Sequence, residues 1–347
     1  MLVDSPPEQR AETAPAPPNR RAIRAIGLLV SLVILVLVAL ASIAIGAKAL
    51  SIGEVWHGLF QDSGTYGDVV VADRLSRTVL GLLAGAALGL SGAVLQALTR
   101  NPLADPGLLG INAGASAAVV TAISFFGVTS LSGYVWFAFI GAAVVGALVW
   151  FLGGSRGATP VRLALAGTAI SAALYGYLQA VMILDDAALA RMRFWTVGSL
   201  ASASNAAIVQ VLPFIAVGTV LALAPARPLN AMAMGDDTAK ALGANLNRTR
   251  ALAMLSATVL CGAATAACGP IMFVGLMVPH VVRSFTGPDL RWILPYATIL
   301  SPVLLLGSDV IGRVVARPSE LQVGIVTAII GGPVFIYLVR RRRTAQL

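Results

Sequence analysis

The sequence predicts an all-α protein that crosses a membrane ten times, and three observations support that prediction. Of its 347 residues, 58% are hydrophobic and 11% are charged, and the mean hydropathy is +0.86. A soluble domain carries about 25% charged residues. Several uncharged runs are long enough to span a bilayer. The 35 Gly and 18 Pro suit closely packed, interrupted helices better than the alternating segments of a β-barrel.

The N-terminal part predicts a tail followed by a retained spanning helix. Residues 1–19 contain five Pro and no apolar period, so we expect residues 1–24 to form a disordered cytoplasmic tail. Three arginines then precede the uncharged run 25–47, as they would in a signal peptide. That run has 23 residues. A cleavable apolar region has about 7–15, so a retained helix is favoured.

The rest of the chain divides into further uncharged runs, and one span needs about 20 residues. These runs are 78–99, 106–155, 163–184, 194–226, 251–282, 292–308 and 321–339. The run of 50 residues has room for two spans, divided near 128–133. The run of 32 residues is long for one span, and Gly269-Pro270 lies in its middle. Division there gives a ten-helix domain over residues 25–343.

The placement of positive charge predicts an even number of spans with both termini in the cytoplasm. The tail carries four Arg, and residues 340–343 are all Arg. The positive-inside rule puts both ends on the cytoplasmic side, which requires an even count. With ten spans, 17 Lys and Arg fall on the cytoplasmic side and 7 on the outside.

Two segments that contain Gly and Pro resemble each other and predict two inverted-repeat-like halves. NPLADPGLLGIN (101–112) matches GPIMFVGLMVPH (269–280) at a constant offset of 168, and the matched pairs are Pro102/Pro270, Gly107/Gly275 and Leu108/Leu276. Spans 2 and 7 run in opposite directions, as in transporters whose irregular backbone lines a path. Chance similarity among small residues is the alternative. Pro and Gly leave backbone N–H and C=O groups without helical hydrogen bonds, and lipid cannot satisfy these groups. They belong beside protein or water, so a path-lining turn is favoured over an ordinary cytoplasmic turn.

One carboxylate lies inside a predicted span. Asp309 is near the outer end of span 9, and Arg313 follows four residues later. An intramembrane carboxylate is a candidate for proton coupling. The i,i+4 spacing instead favours an ion pair at the end of the helix.

The sequence offers no chemistry for an enzyme. No group of His, Cys or carboxylates has metal-ligand spacing, and no nucleophile stands beside a base. Cys261 and Cys268 share a helix face at a distance that no disulfide bridges, so we interpret them as small buried residues. A Walker A loop needs Gly-Lys-Ser/Thr, and both lysines, Lys48 and Lys240, follow Ala. We expect no catalytic residue, metal, cofactor or nucleic-acid partner, and any ATP and Mg²⁺ would be bound by another subunit.

Three motifs in order resemble the FecCD family of ABC importer permeases. They are RLSRTVLGLLAGAALGLSGAVLQALTRNPLADPGLLG (74–110), GPIMFVGLMVPHVVRSFTGPDLRWILP (269–295) and ELQVGIVTAIIGGPVFIYLV (320–339). The resemblance implies ten helices, a multi-pass place in the bacterial plasma membrane, and cargo of the ferric siderophore, haem or cobalamin type. It also implies three kinds of partner: a second permease subunit, identical or homologous, two ATPase subunits that bind ATP and Mg²⁺, and an extracytoplasmic substrate-binding protein.

The resemblance assigns roles to two groups of residues, and the path-lining turn predicts a third group, the gate. The loop at about 230–250, between spans 6 and 7, resembles the family's coupling element, which has two short helices joined at a Gly, here Gly243. Its expected ATPase contacts are Asp236, Ala239, Leu242 and Gly243. The expected cytoplasmic gate consists of Asn101, Pro102, Leu103, Thr159 and Pro160. The expected docking residues for the binding protein are three outer arginines, with membrane anchoring as the alternative: Arg74, Arg77 and Arg313.

We therefore expect the membrane subunit of a bacterial ABC importer that works by alternating access driven by separate ATPase subunits. A ferric siderophore is the expected cargo, with haem or cobalamin as alternatives. Two hypotheses of other classes are an ion-coupled secondary transporter with Asp309 as its coupling group, and a membrane structural protein without cargo. Transport without any ATPase would favour the first, and reconstituted uptake would exclude the second.

Overall fold

The computed structural model describes residues 20–60, 64–154 and 160–343, and all regular structure in these ranges is helical. The prediction of an all-α chain is confirmed. The α-helices are α1 (Arg20–Ala44), α2 (Ile52–Phe60), α3 (Tyr66–Leu98), α4 (Ile111–Phe126), α5 (Leu131–Gly154), α6 (Pro160–Leu184), α7 (Asp186–Trp195), α8 (Asn205–Leu223), α9 (Ala226–Met232), α10 (Asp236–Ala241), α11 (Leu246–Cys268), α12 (Val274–Thr286), α13 (Leu290–Val315) and α14 (Val323–Arg343). A 3₁₀ turn, Pro106–Leu109, lies between α3 and α4.

Seven of the described helices are long and apolar enough to cross a membrane, namely α1, α3, α5, α6, α8, α11 and α13. Helix α4 and the apolar part of α14 are shorter, and α12 has 13 residues. Each of the ten predicted spans coincides with one of these ten helices. Ten complete crossings and the side of each terminus stay predictions.

Residues with positive φ separate helices where the sequence predicted divisions. Gly127 (φ 63°) ends α4, and α5 begins at Leu131. Gly269 (φ 73°) ends α11, and Phe273 (φ 70°) precedes α12. Both long uncharged runs therefore contain two helices each, as predicted.

The first helix begins earlier than the sequence predicted. Helix α1 starts at Arg20, so residues 20–24 are helical and do not belong to a disordered tail, whereas residues 1–19 lie outside the described residues. Alanine, isoleucine and arginine are compatible with helix, so these residues extend the apolar run that follows. The Tyr296 hydroxyl donates to the backbone oxygen of Arg24 (2.6 Å) and ties this end of α1 to α13.

Helices α3 and α11 form the interior. In the most apolar 18-residue stretch of each helix, 78% of the residues are buried in α3 and 72% in α11. The corresponding share is 17% in both α1 and α6. Helix α3 contacts α1, α2, α8, α11, α12 and α13. It is therefore the element through which most others are positioned.

Small residues let the helices approach each other backbone to backbone. A Cβ at Gly92 of α3 would lie 1.8 Å from the carbonyl oxygen of Gly275 in α12. One turn further along α3, Gln96 Nε2 donates to the carbonyl oxygen of Leu276 (2.9 Å). Close contact through glycine with a polar side chain beside it is the usual way in which membrane helices associate.

The two cysteines are free and buried in α11, which confirms their interpretation as small interior residues. Next to Cys261, Thr265 Oγ1 donates to Asn112 Oδ1 of α4 (2.8 Å). The Cys261 thiol donates to the same oxygen (3.4 Å). This buried polar cluster joins α4 to α11.

Candidate gate, coupling and docking sites

The turn after α3 is held in a non-helical shape by its own side chains. Arg100 takes φ 51°, a left-handed value that is uncommon outside glycine. The backbone N–H two residues beyond Asn101 donates to Asn101 Oδ1 (2.9 Å), which forms an Asx turn. In the same way, the backbone N–H of Gly107 donates to Asp105 Oδ1 (2.7 Å), and Asp105 thereby caps the 3₁₀ turn. The predicted interruption at 101–110 is therefore present.

The gate residues that the structure describes lie beside the start of α6. A groove of about 370 Å³ is lined by Asn101 and its neighbours on one side and by the first turns of α6 on the other. Asn101 and Leu103 are exposed and Pro102 is partly buried. Pro160 is the first residue of α6, and Thr159 lies outside the described residues. Contact of this surface with a second subunit stays a prediction.

The coupling segment contains two short helices, but their joint is not where the sequence placed it. Helices α9 and α10 are joined at Gly235 (φ 116°), and Gly243 (φ 82°) instead connects α10 to α11. Asp236 and Asp237 occupy the first turn of α10. Acidic residues favour a helix N-terminus, so α10 begins directly after Gly235. The expected joint at Gly243 is thus corrected to Gly235.

Asp236 is paired with two arginines from different elements. Arg100, in the turn after α3, donates from Nη2 to Asp236 Oδ1. Arg250, in the second turn of α11, donates from Nη2 to Asp236 Oδ2 (2.6 Å). Burial acts to raise the pKa of Asp236, but the hydrogen bond from Arg100 and the charge of Arg250 outweigh it and hold that pKa below its ordinary value. These pairs fix the coupling segment, about residues 230–250, to two other elements. One is α11, and the other is the turn after α3 that carries Asn101, Pro102 and Leu103, here called the gate turn.

The four expected ATPase-contact residues differ in what they present to solvent. Leu242 is 65% exposed, and a Cβ at Gly243 would meet no atom within 4 Å. Ala239 is fully buried and packs α10 against the protein. Asp236 is partly exposed, and its carboxylate forms ion pairs with Arg100 and Arg250. Leu242 and Gly243 are therefore exposed to a partner, whereas Ala239 is not, and ATPase contact at all four residues stays a prediction.

At the opposite end of α3, two arginines share one buried carboxylate. Arg77 Nη2 lies 2.7 Å from Asp309 Oδ1, and Arg313 Nη2 lies 3.0 Å from Asp309 Oδ2. Arg77 Nη1 also lies 2.6 Å from Glu320 Oε2. Asp309 has no exposed surface. The predicted ion pair between Asp309 and Arg313 is confirmed, and the carboxylate balances the charge of a second arginine as well.

Arg313, together with Arg74 of α3, caps the C-terminus of α1. Arg313 Nη1 donates to the carbonyl oxygen of Ser42 (2.9 Å). Arg74 donates to three carbonyl oxygens at the end of α1 and just beyond it, those of Ile43, Ala44 and Lys48. The last carbonyl groups of a helix have no partner within it, and a cation is favourable there. Arginines from α3 and α13 supply both the donors and the charge.

All three arginines of the docking prediction are buried, and their contact with a binding protein stays a prediction. Arg74, Arg77 and Arg313 are 6%, 9% and 1% exposed. They are buried because their partners, which include Ser42 and Glu320, surround them. Sequence reasoning missed those two partners, since Arg77 and Glu320 are 243 residues apart and Arg313 and Ser42 are 271 apart.

The sequence is similar to one protein family and to several individual proteins along most of its length. The model of the FecCD transport family matches residues 34–341. The ferric enterobactin transport system permease protein FepD of Escherichia coli K12 is 46% identical, over 93% of this chain and 96% of that protein. The Fe(3+)-citrate import system permease protein YfmD of Bacillus subtilis is 38% identical, over 94% and 98%. The hemin transport system permease protein HmuU of Yersinia pestis is 37% identical, over 90% and 94%.

The fold agrees with these relatives. A solved structure described as an inward-facing conformation of a metal-chelate type ABC transporter matches with a TM-score of 0.80 and 28% identity, over 91% of this chain and 99% of that one. The helical arrangement and the relatives together define a permease subunit of an ABC importer, a multi-pass protein of the bacterial inner membrane. The chain belongs to the FecCD transport family. This result replaces the hypotheses of a secondary transporter and of a structural protein.

Proposed function

We propose that this permease carries ferric siderophores by alternating access, driven by separate ATPase subunits. The observation that supports this cargo most is the 46% identity to the ferric enterobactin permease over nearly the full length of both chains. The haemin permease compared above shares 37%. A ferric chelate holds its iron within its own ligands, so its carrier needs a path of suitable shape and polarity rather than iron ligands.

The proposed assembly has two FecCD-type permease subunits, identical or homologous, two ATPase subunits and an extracytoplasmic binding protein. In each permease ten helices cross the membrane, in two inverted-repeat-like halves with both termini in the cytoplasm. Only 17% of the residues in the most apolar stretch of α6 are buried within this chain. This low burial supports contact between α6 and the second subunit. The groove between α6 and the turn at Asn101 supports placing the gate at the same surface.

The proposed coupling mechanism moves the gate through α10. A partner ATPase contacts Leu242 and Gly243, which are exposed at the end of α10. Displacement of α10 carries Asp236 with it, and Asp236 is bonded to Arg100 in the gate turn. A short rigid helix with an ion pair at its first residue can transmit such a displacement without local unfolding. The gate at Asn101, Pro102 and Leu103, with Thr159 and Pro160, would open as a result.

The proposed docking face is the end of the molecule that carries Arg74, Arg77 and Arg313. Because all three are buried in this conformation, we propose that they act by holding the ends of α1, α3 and α13 in place. Arg317 is exposed at the same end and donates to the carbonyl oxygen of Gly46 (2.7 Å). Its charge is available for acidic residues of a binding protein.

Reconstitution tests this function. The permease is placed in proteoliposomes with its second permease subunit, its ATPase and its binding protein, and radioactive iron is supplied as ferric enterobactin, ferric citrate or haemin. We expect ATP-dependent accumulation of a ferric siderophore in preference to haemin. Preferential uptake of haemin would contradict the cargo, and accumulation without the ATPase would contradict the mechanism.

A further inference from the structure

A groove opens where α8 and α11 meet the coupling segment. Its volume is about 590 Å³. Pro225 and Arg227 line it from the junction of α8 with α9, and Arg248 and Leu252 line it from the first turns of α11. The groove thus joins a polar rim to an apolar floor.

The two arginines of this groove have no counter-charge in the described part of the chain. Neither Arg227 nor Arg248 forms an ion pair or a side-chain hydrogen bond with another described residue, and both are exposed. By contrast, Arg250 is paired with Asp236 at 2.6 Å. Two unpaired guanidinium groups on one groove attract an anion, and their planar geometry suits the oxygens of a phosphate.

Both arginines lie at the level where the membrane-spanning helices end. The membrane-length part of α8 ends at Leu223, and that of α11 begins at Leu246. Arg227 and Arg248 are therefore within about one helical turn of those ends, at the depth of lipid headgroups. On the membrane side of them, Leu223 is 49% exposed and Leu255 is 50% exposed. Both leucines lie on membrane-length helices, and Leu255 also lines an apolar groove of about 330 Å³ between α5 and α11.

We propose that this groove binds an anionic phospholipid, with the phosphate between Arg227 and Arg248 and an acyl chain along α8 and α11. A carboxylate of the ATPase would also satisfy the arginines, but it would leave the exposed leucines uncovered, so an amphiphile with an acidic head fits better. Leu242 and Gly243 line the same groove, which places the lipid beside the proposed ATPase contact. The proposal depends on α8 and α11 crossing the membrane and is independent of the cargo.

Native mass spectrometry tests the proposal on the full-length permease released from nanodiscs of phosphatidylcholine and phosphatidylglycerol. We expect wild type to retain phosphatidylglycerol selectively, and the variant with Arg227→Gln and Arg248→Gln to lose about thirtyfold of that preference. Each single substitution should lose part of it. The variant with Arg227→Lys and Arg248→Lys, which keeps the charge, should retain most of it. A matched control, Lys240→Gln with Arg340→Gln, removes two charges outside the groove and should behave as wild type.

Two results would overturn the proposal. The first is an unchanged preference for phosphatidylglycerol in the double glutamine variant. The second is an equal loss in the control, which would show a general effect of charge. If the first result is accompanied by weaker binding of the ATPase to the same variant, measured separately with the purified ATPase, the groove belongs to an acidic residue of the ATPase. Because lipid retention is the readout, failure of siderophore uptake would leave this proposal standing.

Discussion

Arg100 and Asp236 are 136 residues apart in sequence and form an ion pair between the gate turn and the first residue of α10. Arg100 reaches it from a left-handed backbone conformation (φ 51°), and Arg250 holds the other carboxylate oxygen at 2.6 Å. Asp236 thus connects three elements, namely the turn after α3, the coupling segment and α11. The pair connects the two parts of the molecule to which we assign coupling and gating.

Replacing Asp236 with Asn should separate ATP hydrolysis from uptake. The loss of both charged pairs leaves α10 folded but frees the gate turn, so we expect uptake to fall about fivefold or more while ATP hydrolysis continues. The side chain of Asp236 is 37% exposed, so the cost in unfolding free energy should be about 1 kcal/mol or less. Uptake and hydrolysis are measured on the same proteoliposomes.

Asp237 provides the control for that experiment. It is fully exposed and pairs with Lys240 alone among the described residues, at 3.6 Å. Asp237→Asn removes the same charge from the same turn of α10 without touching the link to Arg100. Equal loss of uptake in the two variants would contradict a specific role of Asp236.

Replacing Gly243 with Trp should also uncouple hydrolysis from uptake, by obstructing the partner's contact. A side chain here meets no atom of this chain within 4 Å, so the protein should still insert and fold. The positive φ of 82° costs about 1 kcal/mol with any side chain. Gly243→Ala carries that strain without the bulk and should transport nearly normally. Normal uptake by the Trp variant would remove Gly243 from the proposed contact.

A cysteine at Leu103 should cross-link to the second permease subunit in one nucleotide state and not in the other. Leu103 lies on the exposed gate turn, and the native Cys261 and Cys268 are buried, so the added thiol reacts selectively. Cysteine at Asn101 should behave in the same way. Cross-linking is followed by electrophoresis with and without ATP. Cross-links that form in both states, or in neither, would contradict a gate at this turn.

Replacing Asp309 with Ala should strongly destabilise the protein. It leaves the buried Arg77 and Arg313 without their shared carboxylate, and removing one partner from a buried charge network costs about 3–5 kcal/mol. Glu320 is 32% exposed, so Glu320→Gln should cost about 1 kcal/mol or less. Thermal unfolding in detergent compares the two variants. A similar melting temperature for both would show that the Asp309 network contributes little.

Charge reversal at the outer end separates direct docking from positioning. Arg317→Glu changes an exposed charge and removes one hydrogen bond to Gly46, so we expect weaker binding-protein association, most strongly at low salt, with only a small fall in melting temperature. Arg74→Glu, Arg77→Glu and Arg313→Glu should lower both the affinity and the melting temperature because these side chains are buried. Affinity is measured by surface plasmon resonance over a range of salt. A buried-site variant with normal melting and salt-dependent loss of affinity would instead indicate direct contact.

The sequence predicted the helices better than their contacts. Uncharged runs and the breaks at Gly127 and Gly269 are local properties, so ten segments and their divisions could be located from composition and spacing. Burial of Arg77 could not, because it depends on Asp309, 232 residues away. The number of Lys and Arg on each side of the membrane contains no information about burial, so it does not distinguish a buried arginine from an exposed one. Both Gly235 and Gly243 could end a short helix, so the sequence did not show that Gly235 is the joint between α9 and α10.

Helix α3 has consequences beyond its own packing. It has 33 residues and is about 50 Å long, with Arg77 bound to Asp309 in its N-terminal half and Arg100 bound to Asp236 just past its C-terminal end. A single rigid element therefore belongs to the sites that we assign to the binding protein and to the ATPase. Thermodynamic linkage is reciprocal: the factor by which docking shifts the affinity for ATP equals the factor by which ATP shifts the affinity for the docked protein. Measuring either factor determines the other.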